Sequence, residues 1–196
     1  GTLVWLNAGS RITYSQGFGV GNRKIELIGE GYFEVKRNEE VPFLVKTNSL
    51  LVKVLGTKFN FRDYPDDAEA IVSLSEGKVA LNNLLKKEKE AFLLPNERVV
   101  LNKKNGRMHV EYSTVSNALQ WTNGYLFFDE ELLPDVVKEL ERSYNVKIQI
   151  ASDTLNTFRF YGNFVHREQN IQEVLEALSA TRKIHYIIEG HNITLY

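Results

Sequence analysis

Glycines Gly17, Gly19 and Gly21, at alternate positions, have the spacing of a phosphate cradle. Such a loop needs a strand before it and a helix behind it, whose N-terminal amides face the phosphate. Arg23–Ile28 reads as a strand instead, so the loop is expected to be a β-connection. Metal chemistry would fall to His109, His166, His185 and His191, and none of them sits in a metal-binding motif. The carboxylates cluster as Asp66-Asp67, in a turn, and as Asp129-Glu130-Glu131, just before a helix. Turn propensity and the helix dipole account for both without acid–base catalysis. There is no Gly-x-Ser-x-Gly elbow, and the lack of cysteine removes thiol nucleophiles, disulfides and thiolate metal sites. These residues predict no cofactor, no metal and no turnover enzyme. Phe158 and Phe160 alternate with Arg159 and Tyr161. If the phenylalanines face inward, Arg159 and Tyr161 stand on an open sheet face, with the composition of a partner-binding patch. An ordinary amphipathic strand fits the same pattern.

The elements that must position such residues fall into two grammars. From residue 1 to 113 the 196-residue chain shows short strands punctuated by turn residues. Thr2–Leu6, Arg11–Tyr14, Lys24–Ile28, Tyr32–Lys36, Phe43–Thr47 and Leu51–Tyr64 are expected strands, with Gly29-Glu30-Gly31 as a turn. Ala70–Leu74 and Lys78–Leu81 flank Ser75-Glu76-Gly77, and Arg98–Lys103 and Arg107–Tyr112 flank Lys104-Asn105-Gly106, both as hairpins. Spacing of this kind predicts an antiparallel β-sandwich or roll. Residues 114–120 read as a linker.

Residues 121–196 change period. Leu133, Val136, Val137, Leu140 and Tyr144 lie on one helical face, opened by Pro134 and Asp135, and Val146, Ile148 and Ile150 alternate as a strand. Ile171, Val174, Leu175 and Leu178, with Ile184, Tyr186 and Ile188, repeat that pattern 38 residues later, and Phe164 is the counterpart of Leu126. Asn170 is the expected N-cap of the second helix. The prediction is a small α/β domain of two β-α-β repeats, with both helices on one face of a sheet and a final hairpin at Glu189-Gly190.

One segment breaks its own period. In Leu51–Tyr64 the inward set is Val52 and Val54 before Gly56–Thr57 and Phe59 and Phe61 after it, a change of parity. Strand side chains alternate strictly, so a bulge or sharp bend must lie there. The net charge of −1 gives no general pull toward nucleic acid or anionic lipid, and the interleaved Lys86, Lys87, Glu88, Lys89 and Glu90 read as a solvated loop. No apolar run reaches the roughly 20 residues of a membrane helix, and the abrupt start on an apparent strand suggests a soluble piece of a longer protein.

Val4-Trp5-Leu6-Asn7-Ala8-Gly9-Ser10, Gly29-Glu30-Gly31-Tyr32-Phe33-Glu34-Val35, Pro42-Phe43-Leu44-Val45-Lys46-Thr47 and Val54-Leu55-Gly56-Thr57-Lys58-Phe59-Asn60-Phe61 occur in the order seen in the FecR family of transmembrane anti-sigma factors. Residues 121–196, opening with Trp121-Thr122-Asn123-Gly124, resemble the C-terminal domain of FecR proteins of the Bacteroidetes type. Gly31 departs from the pattern, where alanine is usual. The resemblance implies a periplasmic sensor anchored in the inner membrane by a helix outside this chain. It would meet the signalling domain of a TonB-dependent outer-membrane transporter and relay its state to an extracytoplasmic-function sigma factor through a cytoplasmic segment. The doubled unit is also similar to the short domains of secretins and transporter signalling modules, which suggests docking through a sheet edge. Some family members are thought to cleave themselves at a Gly-Thr peptide in this motif, which makes Gly56 and Thr57 candidates for a single-turnover acyl shift. A bulge glycine followed by a β-favouring threonine explains the same pair. An envelope carbohydrate-binding β-domain using Trp5 is the alternative function.

Overall fold

The computed structural model describes residues 1–113, 118–180 and 182–196. Residues 114–117 of the expected linker lie outside them. The chain divides into two compact units, Gly1–Thr122 and Asn123–Tyr196.

Among its described residues the first unit has eleven strands. They are β1 (Leu3–Leu6), β2 (Arg11–Tyr14), β3 (Arg23–Glu34), β4 (Phe43–Lys46), β5 (Leu50–Val54), β6 (Lys58–Asp63), β7 (Glu69–Glu76), β8 (Val79–Asn83), β9 (Ala91–Leu93), β10 (Glu97–Asn102) and β11 (Met108–Tyr112). The hydrogen-bonded order is β11-β10-β7-β6-β3-β4-β5-β8-β9, with β1 and β2 also on β3. β3 is one strand, where the sequence suggested two strands and a turn. Its first half pairs with β2 and β4, and its second half, from Gly29, pairs with β1 and β6. Gly29 makes this possible with a φ of +99°, and a Cβ there would come within 2.8 Å of Ser10 Cβ. Bends of this kind let one strand serve two sheet halves. Because Ile25, Leu27 and Phe33 keep the same parity, both halves present their apolar residues to one core. Phe33 stacks on Phe59 at 5.0 Å between ring centroids at its centre.

The parity change at Gly56–Thr57 is the passage between these halves. β5 pairs with β4 and β8, whereas β6 pairs with β3 and β7, and Val52, Val54, Phe59 and Phe61 are all buried. The expected hairpin at Ser75-Glu76-Gly77 is a second passage of the same kind. β7 pairs with β6 and β10, while β8 pairs with β5 and β9, so the two consecutive strands never meet. Turn residues fix a change of direction but not the partner, and here the shared core draws the chain across. The hairpin β10–β11 forms as expected, from Glu97↔Tyr112 to Leu101↔Met108.

The second unit contains β12 (Tyr125–Leu132), α1 (Leu133–Tyr144), β13 (Lys147–Ile150), β14 (Arg159–Val165), α2 (Ile171–Ser179), β15 (Tyr186–Glu189) and β16 (Asn192–Leu195). The helical faces pack as their period requires, with Leu133, Val136, Val137 and Leu140 of α1 and Val174, Leu175 and Leu178 of α2 in one buried cluster. Pro134 stands in the first turn of α1, and Asn145 closes the helix in the left-handed region. Asn170 caps α2 reciprocally with Glu173.

The strand–helix–strand order appears twice, yet these are not β-α-β crossovers in one sheet. β12 pairs antiparallel with β14, and β13 pairs with β16, which pairs with β15. Leu126 and its repeat counterpart Phe164 are direct partners. Counterpart strands that lie antiparallel with counterpart residues opposite each other are related by a local two-fold rotation, not by translation. Each copy therefore pairs its first strand with the other copy's first strand. The later counterparts, β13 and β15, flank β16.

Candidate functional site

The Gly56–Thr57 peptide is enclosed by backbone. Asn38 N–H donates to the Leu55 carbonyl at 2.7 Å, and Val35 N–H donates to that of Thr57 at 3.0 Å. A Cβ on Gly56 would lie 2.7 Å from Arg37 Cα, and one on Gly77 would lie 2.9 Å from the Gly56 carbonyl oxygen. The two passages between sheet halves thus run side by side, with glycine on each. Gly77 holds a φ of +94°, whereas Gly56 is outside the left-handed region, so that kind of strain does not act on the candidate peptide. The register shift in this area falls between Lys58 and Phe59, against β7. Thr57 is 4% exposed, and its hydroxyl donates to the Lys78 carbonyl at 3.1 Å. A carbonyl takes no proton at neutral pH, so this contact orients the hydroxyl without activating it.

A polar hub lies on the outward side of β3 and β6. Asn7 Nδ2 donates to Glu30 Oε2 at 2.9 Å and Asn60 Nδ2 to Glu30 Oε1 at 2.7 Å, while Arg62 lies 3.6 Å from the same carboxylate. Trp121 Nε1 donates to Asn60 Oδ1 at 3.3 Å. Beside it the Ser10 hydroxyl accepts from Glu30 N–H at 2.8 Å and meets the Tyr64 hydroxyl at 3.1 Å, and Tyr64 donates to the Ala8 carbonyl at 2.7 Å. Glu30 and Asn60 are buried. A carboxylate in such a place is tolerable only because its oxygens are satisfied, and removing one partner of a buried pair costs about 3–5 kcal/mol. Sequence reasoning missed this hub because Asn60 sits at an outward position in an alternating strand. The usable signal was a set of Asn, Ser and Glu residues confined to motif segments, with Trp121 following a polar stretch.

Arg159 and Tyr161 come together on the outer side of β14, both exposed, while Phe160 between them is buried. Opposite them β12 carries a bulge between Phe128 and Glu131, in which Glu130 has a φ of +53°. Arg159 Nη1 donates to the Glu130 carbonyl at 2.5 Å. The neighbouring Glu130 carboxylate, chiefly as a hydrogen-bond acceptor, with smaller effects of burial and of the Glu130 and Asp129 charges, pushes the Tyr161 pKa above the ordinary value. Two of the edge strands carry exposed apolar residues together. β15 ends its sheet with Ile187 and Ile188 exposed, and β1 pairs with β3 alone, leaving Leu3, Val4, Trp5 and Leu6 partly exposed.

Three of the four histidines are held by ordinary contacts. His109 Nε2 lies 3.5 Å from Glu111, His166 Nε2 donates to the Ser143 carbonyl at 2.8 Å, and the His185 ring packs on Tyr196. Among the described residues no three His, Asp or Glu side chains converge as a metal site, and no helix is long and apolar enough to cross a membrane.

Residues 1–80 match the family model described as FecR protein, and residues 125–195 match that described as FecR, C-terminal. No protein of curated function matches the sequence. Crystal structures at 1.65 Å and 2.50 Å of a candidate anti-sigma factor from Parabacteroides distasonis superpose with TM-scores of 0.89 and 0.88. Each is 34% identical in sequence, and the alignment covers 100% of this chain and 90% of that one. Asn7, Ser10, Glu30, Asn60, Arg62 and Tyr64 of the hub lie within the matched residues 1–80, and the chain belongs to the FecR family of anti-sigma factors.

Proposed function

We propose that this chain is the periplasmic sensor region of a membrane-anchored anti-sigma regulator. In this reading it relays the state of a TonB-dependent outer-membrane transporter to an extracytoplasmic-function sigma factor. Family membership supplies the anti-sigma role. The observation that carries the sensor role is the open edge of β15, with Ile187 and Ile188 exposed. An added strand gains backbone hydrogen bonds at such an edge, and side chains beside it supply selectivity. Arg159, Tyr161 and the acidic bulge supply charged and aromatic contacts on the β12–β14 face of the same unit.

The relay works by contact, without turnover, and the Gly56–Thr57 peptide stays intact. Cleavage would require the Thr57 oxygen to attack the Gly56 carbonyl carbon, transferring the acyl group and freeing the Thr57 amine before water cuts the ester. The hydroxyl is engaged with the Lys78 carbonyl instead. Mass spectrometry of the purified chain is expected to give one intact mass, and fragments 1–56 and 57–196 would overturn this point.

The partner assignment is tested by pull-down with the N-terminal signalling domain of a TonB-dependent transporter encoded beside the gene. Tyr161→Asp and Ile187→Lys are each expected to weaken capture while circular dichroism stays unchanged. Failure of the unmodified chain to bind any such domain would refute the transporter as partner.

A further inference from the structure

Five cations that take no part in the hub or the β12–β14 patch, Arg11, Lys24, Lys46, Lys53 and Lys78, lie on one surface. On the sheet half formed by β2, the start of β3, β4, β5, β8 and β9, alternate residues face away from the core. Register places Lys24, Leu44, Lys53, Ala80 and Phe92 in one row across the strands, and Glu26, Lys46, Leu51 and Asn82 in the next. Arg11 extends the face on β2, and Lys78 lies over the Phe92 ring at 4.5 Å. Arg11, Lys24, Lys46, Lys53 and Lys78 are all exposed, and the ion pairs among the described residues use other cations.

From strand spacing, Lys24 and Lys53 lie about 10 Å apart, with Lys46 on the diagonal about 7–8 Å from each. A cluster of like charge is unfavourable to fold around, and Glu26 is the one carboxylate in these rows. The chain as a whole carries a net charge of −1, so the clustering is local and not a consequence of composition.

The β8–β9 loop adjoins the row that contains Lys46. Asn83 pins it, accepting from Leu85 N–H and Lys86 N–H through Oδ1 and donating to Glu88 and to the Gly106 carbonyl through Nδ2. The loop holds Leu84 and Leu85 partly exposed, followed by Lys86 and Lys87, and Phe92 and Leu94 are exposed where the chain returns. A broad basic face bordered by apolar side chains lacks the pocketed aromatic anchor of a protein interface, since Lys78 already covers the Phe92 ring. It has the composition of a surface that lies on lipid, with lysine stems flat and ammonium groups among headgroups.

We propose that this face docks on an anionic phospholipid surface, with lipid phosphates neutralising Lys24, Lys46 and Lys53 and with Leu84 and Leu85 entering the headgroup boundary. This docking is independent of the transporter-facing edge of the C-terminal unit.

The test is flotation of the whole 196-residue chain with phosphatidylcholine vesicles, with and without about one-third phosphatidylglycerol. Binding is expected only to the anionic vesicles and is expected to fall as salt rises. Lys24→Gln/Lys46→Gln/Lys53→Gln should weaken it roughly a hundredfold, at about fivefold per lysine. Leu84→Ser/Leu85→Ser should weaken what remains at high salt. Melting curves confirm that the variants fold, and the single Lys53→Glu replaces the triple variant if that one does not. Equal binding to both vesicle types, anionic binding unaffected by the lysine changes, or no vesicle binding together with capture of polyglutamate would each overturn the proposal. The last result would assign the face to an acidic protein.

Discussion

Gly77 shows how much can rest on one missing side chain. Its φ of +94° and the 2.9 Å that would separate a Cβ there from the Gly56 carbonyl oxygen act together, since a side chain would be strained and would push the two passages apart. Gly77→Ala is expected to cost about 1–3 kcal/mol in urea unfolding. A second residue-scale expectation concerns Glu111, whose carboxyl is held below its ordinary value by hydrogen bonding from Arg98 and, less strongly, by the charges of Arg98 and His109. A carboxyl with a depressed folded pKa contributes stability above its unfolded pKa and loses it as pH falls through the folded value. The melting transition of the N-terminal unit should therefore fall on acidification below pH 4.5, and less steeply in Arg98→Ala. A carboxyl-carbon NMR titration should place the Glu111 midpoint below 4.5, and Arg98→Ala should raise it. Neither residue could be singled out from sequence, because the partners lie on neighbouring strands or in another passage.

At the scale of elements, period was the reliable guide and pairing was not. The alternation that put Phe160 inside and Arg159 and Tyr161 outside holds, as does the 38-residue repeat of the helical faces. What periodicity cannot carry is the identity of a strand's neighbour. Gly29-Glu30-Gly31 reads as a turn because glycine permits one, yet β3 continues through it, bending at Gly29, and changes partners. Ser75-Glu76-Gly77 reads as a hairpin, yet the shared core sends the next strand to the opposite sheet half. Phe160→Asp is expected to unfold the C-terminal unit, because it places a charge where 7% of the residue is exposed, and Tyr161→Asp is expected to leave the fold intact at a site 67% exposed. Circular dichroism of both variants checks this, and the opposite outcome would mean that the β14 faces are assigned in reverse.

For the whole molecule, each unit owns a separate buried cluster, one built around Phe33, Phe43, Phe59 and Phe61 and the other around Leu133, Leu140, Phe164 and Val174. Two cores of this kind predict two unfolding transitions. Phe59→Ala is expected to lower one of them by about 3–5 kcal/mol and leave the other in place. A single transition shifted as a unit would show that the two cores are coupled. The hub bears on this in a further way. Trp5 and Trp121 are the two tryptophans of the chain, and both belong to Gly1–Thr122. Indole emission is therefore silent about the C-terminal unit itself. Trp121 nevertheless sits two residues before that unit begins, with its N–H on Asn60, so it is a native optical probe at the junction. A ligand that only coats the C-terminal unit should leave the emission spectrum unchanged. One that pulls on the chain where the units join should free the indole and shift its colour.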